Sequence, residues 1–140
     1  MPKTDPSVAA QWFRRVLWLG IVANLALAVP TLLAPERLLA LSGFPPALPV
    51  LWAQFSALLL ILLSVFYMPA GIDPDRYRLV AWLAVGARLA GVVFFGLFQS
   101  AEYHLLGYFD LAFFIPEALL LVMMGSGATT ASTMRAGTIA

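Results

Sequence analysis

Arg88, Asp110 and Glu117 are the residues of this chain best placed to do chemistry, because each stands inside an apolar run. A run of about 20 apolar residues is what crosses about 30 Å of hydrocarbon. A lone arginine in that setting costs about 2.5–3.5 kcal/mol and needs a partner. Asp110 and Glu117 are the partners on offer. They are seven residues apart and so lie within roughly 20° of each other on one helix face. One cation facing two acids predicts an ion pair and a second carboxyl that carries a proton. If Glu117 takes the arginine, Asp110 is the carboxyl left to hold or exchange that proton. Asn24 and Gln54 are the uncharged polar residues expected near this cluster.

Four apolar spans must position these residues: Val16 to Leu33, Val50 to Met68, Leu79 to Phe98 and Leu105 to Met124. Together they cover 77 residues, and only three of the 15 charged residues fall inside them. At about 1.5 Å of rise per residue, Arg88 lies about 13 Å from the end where the third span begins. Glu117 lies at about 10 Å from that end and Asp110 at about 21 Å. This arithmetic levels Arg88 with Glu117 and Asn24, and Gln54 with Asp110. Ala81, Ala84, Gly91 and Phe95 share the face of Arg88, and small residues there let a neighbouring helix come close. Pro116 removes one hydrogen bond of the fourth span and is expected to kink it beside Glu117.

Punctuation agrees with this division. Pro30 and Pro35 mark the end of the first span, and Pro69, Gly71, Asp73 and Pro74 separate the second from the third. Asp73-Pro74-Asp75 reads as the N-cap and first turn of the third helix. Residues 99–104 fit a tight interfacial turn. Pro35 to Leu41 reads as a short interfacial helix stopped by Gly43, either a lid over the bundle or a gate above a pocket. Residues 1–15 and 125–140 are read as a cytoplasmic N-terminal segment and a disordered cytoplasmic tail flanking one domain, 16–124. Lys3, Arg14, Arg15, Arg76, Arg78 and Arg135 fall on one side of a four-span chain and only Arg37 on the other, which predicts cytoplasmic termini. Arg14-Arg15 before an apolar run also resembles a secretory signal peptide, but the run continues past the candidate cleavage site.

Composition excludes several classes. The chain is 62% hydrophobic and 11% charged, against roughly 45–50% and about 25% in a soluble domain. Eight Lys/Arg against seven Asp/Glu leave no basic patch for nucleic acid. Without cysteine there is no disulfide, zinc–thiolate site or Fe–S cluster. One histidine, His104, excludes a bis-His haem within the chain, and a haem on His104 alone is disfavoured. Glu102 and His104 alone are too few for a metal site. No serine has a base near it, and no nucleotide fingerprint is present.

The layout resembles the DoxX-like group of small bacterial four-helix membrane proteins. The resemblance rests on Val29-Pro30 to Pro35, on Leu41-Ser42-Gly43-Phe44-Pro45-Pro46, on Asp73-Pro74-Asp75-Arg76-Tyr77 and on Ala87-Arg88-Leu89-Ala90-Gly91. It spans about residues 12–124. It implies a bacterial inner-membrane setting and an accessory role beside quinone-linked oxidoreductases, without the cysteine chemistry of some redox relatives.

The expectation is an all-α, four-helix transmembrane bundle, up-down-up-down, with a short interfacial helix after the first span. The leading functional reading is a non-enzymatic accessory or scaffold subunit of a larger inner-membrane complex, with other membrane subunits or further copies of the chain as partners. The alternative is proton or ion movement, or quinone or lipid binding, at Arg88, Asp110 and Glu117, with Asn24 and Gln54. In the first reading the same residues only fix helix register. An integral membrane enzyme using the carboxylates is the least favoured.

Overall fold

The buried stripe of the first helix sets its length. Ala10, Phe13, Leu17, Ile21, Asn24 and Ala28 recur at helical spacing, so the helix starts well before the expected Val16. The computed structural model, which describes the backbone of residues 7–137 and the side chains of residues 7–125, places α1 at Val8–Leu33. Ser7 caps it, accepting a hydrogen bond from the Ala10 N–H at 3.1 Å. Residues 1–6 of the expected N-terminal segment lie outside the described residues.

The short helix α2 spans Pro35–Leu41, with proline in its first turn as expected. Gly43 ends it at φ 71°, a left-handed conformation that suits glycine. The Phe44 N–H then reaches back to the Leu39 carbonyl at 2.9 Å. Three longer elements follow: α3 (Val50–Ile72), α4 (Arg78–Val93) and α5 (His104–Gly137).

The prolines behave differently from their reading as separators. Pro30 and Pro69 sit inside α1 and α3, each one turn from the helix end. Their carbonyls accept the closing bonds, from Ala34 N–H at 2.8 Å and Asp73 N–H at 3.0 Å. α5 stays helical through Pro116. Asp73 caps the turn before α4 rather than α4 itself, its Oδ1 accepting from the Arg76 N–H at 3.1 Å. The fourth apolar helix is reached through a π-helical turn at Phe94–Phe98 and a 3-10 turn at Ala101–Tyr103. The backbone of α5 stays helical to Gly137 over the stretch expected to be a disordered tail, which contains no proline to stop it. Its side chains beyond Gly125, and residues 138–140, lie outside the described residues.

α1 packs against α3 and α5, and α4 packs closely on α5 and more lightly on α3. Among the described residues the four long helices thus form a ring, α1–α3–α4–α5, in which only neighbouring helices bring their backbones close. Small residues (Ala10, Ala70, Ala81, Ala84) fill much of the core around Phe13, Leu17, Ile21, Tyr67 and Leu121. Such residues let helix backbones approach where lipid removes the hydrophobic drive to pack. At most 28% of any span is buried, so most of its apolar surface faces outward. That surface suits hydrocarbon, not water. The protein is a small multi-pass membrane protein built as an all-α four-helix bundle.

Candidate functional site

Arg88 is on the inward face of α4 and only 5% exposed. Its Nη1 donates to Asp110 Oδ1 at 2.9 Å and to Asn24 Oδ1 at 3.1 Å. Its guanidinium lies 4.9 Å from the ring centre of Phe113 and 5.6 Å from that of Phe109. Aromatic faces of this kind attract a cation most strongly where water is excluded. Asn24 passes the network on, its Nδ2 donating to Ser64 Oγ at 3.3 Å. Ser64 Oγ in turn donates to the Leu60 carbonyl at 2.8 Å. One chain of hydrogen bonds therefore ties α5, α4, α1 and α3 at mid-bundle.

The ion pair is Arg88–Asp110, not the Arg88–Glu117 pair expected from depth. Gly91 explains the choice. It lies on the face of Arg88, three residues on, and a Cβ there would fall onto the Asp110 carboxylate. The missing side chain is the seat into which Asp110 fits. Glu117 is fully buried but has no hydrogen bond to either oxygen. It faces Gly20 of α1, where a Cβ would meet Arg88 Nη2 at 2.7 Å and Glu117 Oε1 at 3.4 Å. Arg88 and Glu117 thus flank one point on α1 without forming an ion pair. Asp110 is not the solitary acid; Glu117 is.

Gln54 does not join the cluster. It was expected beside Asp110, but its Nε2 donates to the Leu32 carbonyl at 3.2 Å and satisfies the end of α1. Two residues join without having been expected. Ser64 completes the Asn24 network, and Tyr67 is 3% exposed with its hydroxyl unpartnered inside the bundle. The signal lay in α3: Ala57, Ser64, Tyr67 and Gly71 share one helical face.

Above this layer lies a cavity of about 400 Å³. Its floor is Asn24 and Asp110, and its walls include Ala53, Ala57 and Leu60 of α3 and Phe95 of the π-helical turn. Leu38, Leu39, Ser42 and Phe44 bring α2 over it as a roof, completed by Tyr103. The Phe44 and Tyr103 rings stack at 5.4 Å and 15°. α2 therefore covers a pocket. α3 and the π-helical turn both line the cavity, but their backbones do not come close to each other.

His104 opens α5 at the roofed end, and Glu102 hydrogen-bonds to Ser100 rather than to it. Among the described residues no three His, Cys, Asp or Glu side chains gather as a metal set. Comparison with family models, with curated proteins and with solved structures gives no match.

Proposed function

We propose that this membrane protein binds a neutral, bilayer-soluble amphiphile in the cavity beneath α2, with the polar head at Asp110 and Asn24 and the apolar body along α3 and α5. The observation that carries this reading is the convergence of about 400 Å³ of mostly apolar wall on a buried, hydrogen-bonded polar floor. Cavities of this size and character are typical small-molecule sites.

Charge narrows the ligand class. The floor carboxylate is already paired with Arg88, and Glu117 lies behind them. An anionic head would have to displace Asp110 from Arg88, and a cationic one would have to displace Arg88 from Asp110. A head with hydroxyl or carbonyl groups suffers neither penalty. Quinones, quinols and lipid alcohols are of this class. The seam between α3 and the π-helical turn offers an entry from the lipid. The quinone-linked inner-membrane setting implied by the DoxX-like resemblance, and a place beside other subunits, belong to the same proposal.

The test is native mass spectrometry of protein extracted gently from its own membranes, beside Ala53→Phe, which fills the cavity from α3. The expected result is a bound neutral lipid-class molecule on the parent protein that is lost from the variant. The same adducts on both would refute the cavity as the site.

A further inference from the structure

A second polar site lies in the bundle outside the cavity, and five buried atoms define it: both oxygens of Glu117, Nε and Nη2 of Arg88, and the hydroxyl of Tyr67. Glu117 is 0% exposed, Tyr67 3% and Arg88 5%. None of the five has a hydrogen-bond partner. Buried polar atoms are satisfied in the great majority of cases, so such a group of exceptions needs a physical account. Arg88 and Glu117 do not line the cavity, so its occupant does not supply one.

The groups around Glu117 supply it. From α1 comes Gly20, which carries no charge; from α3 comes Tyr67; from α4, Arg88; from α5, Asp110. The balance is one cation against two acids. Arg88 has committed Nη1 to Asp110 and Asn24, which neutralises one acid only. The other acid has no donor on either oxygen, and an isolated buried carboxylate is neutralised rather than kept ionised.

We propose that Arg88, Asp110 and Glu117 share a single exchangeable proton, and that Glu117 is its binding site, with Arg88 deciding whether it stays. While Arg88 holds Asp110, Glu117 is a carboxylic acid. When that proton passes instead to Asp110, Asp110 no longer bears a negative charge, and the Nε and Nη2 of Arg88 turn to the Glu117 carboxylate, where the ion pair then forms. No electron moves, and the number of protons on the three groups is unchanged.

The test is infrared spectroscopy of the full chain in liposomes at neutral pH, reading the C=O stretch of protonated carboxyls. One such band is expected in the parent protein. It should be lost in Glu117→Gln. It should also be lost in Asp110→Asn, although Glu117 is intact there, because Arg88 then holds Glu117 ionised. A ¹³C label on glutamate carboxyls should shift the band in the unmutated protein and a label on aspartate should not, a reading that needs no variant to fold. Absence of the band from the parent protein, its survival in either variant, or its response to the aspartate label would overturn the proposal. The site does not depend on the cavity being occupied, so its failure leaves the ligand reading standing.

Discussion

Replacing Gly91 by alanine should break the central ion pair while changing a single methyl group. The added Cβ falls onto the Asp110 carboxylate, so Asp110 must leave its 2.9 Å bond with Arg88. Gly86, on the same helix, has nothing within 4 Å of the same added atom. Alanine gains up to about 1 kcal/mol over glycine in a helix, and that gain is common to both variants. The difference between them is therefore the pair itself. A hydrogen bond to a charged group contributes about 1.5–3 kcal/mol net. Removing one partner of a fully buried pair costs about 3–5 kcal/mol, but Asp110 borders the cavity and can turn into it. We expect Gly91→Ala to be less stable than Gly86→Ala by about 1.5–3 kcal/mol. The assay is reversible unfolding in mixed micelles by titration with a denaturing detergent, followed by helical circular dichroism. In an Asp110→Ala background the difference should largely vanish, since the collision and the pair are gone together. Equal stability of the two glycine variants in the parent background would refute the seat that Gly91 provides for Asp110.

Thermal unfolding in detergent should place Asp110→Asn below Glu117→Gln. The first forces Arg88 out of its seat beside Asp110 and recovers at Glu117 only part of a charge-assisted bond of about 1.5–3 kcal/mol, whereas the second alters oxygens that bond to nothing; the reverse order would restore the pairing expected from depth alone. Asn24→Ala removes the link between Arg88 and Ser64 and should cost about 1–3 kcal/mol by leaving buried polar groups unpaired. The same melts would show no loss if the network were incidental. Trp18→Phe removes a 3.0 Å bond to the Gly71 carbonyl, which keeps Arg14 as a second donor at 3.2 Å. A loss of about 0.5–1.5 kcal/mol is expected, and a larger one would mean that Arg14 does not compensate.

The spans were readable because they depend on composition over long windows. Uninterrupted apolar runs lead to helices in hydrocarbon whatever their neighbours do. The starts and stops were less readable. Pro30 and Pro69 looked like breaks, yet in a final helical turn a proline removes only one bond and its carbonyl can accept the closing one. The early start of α1 was visible as Ala10, Phe13 and Leu17 continuing the buried stripe, but Arg14 and Arg15 between them masked it from a hydropathy window. The π-helical turn at Phe94–Phe98 has no local signature in its apolar sequence.

The cluster was half readable, and the missing half concerned which acid meets the arginine. Rise along a helix measures depth at the backbone, but an arginine head stands several bonds away from its Cα and can serve either of two levels. Between acids on one face of α5, the choice falls to local room on α4 and α1. Gly91 opens a notch one turn beyond Arg88, toward the roofed end, and Asp110 occupies it. Gly107, one turn before Asp110, does the reciprocal service: a Cβ there would meet Phe95 Cβ at 3.3 Å and the Gly96 nitrogen at 3.4 Å. The two glycines bring α5 against α4 and the π-helical turn that follows it, on either side of Asp110. Glu117, by contrast, projects toward Gly20 of α1. Depth along the helices favours Glu117, which is level with Arg88. The small residues on each face instead pair Arg88 with Asp110 and leave Glu117 as the carboxyl without a cation.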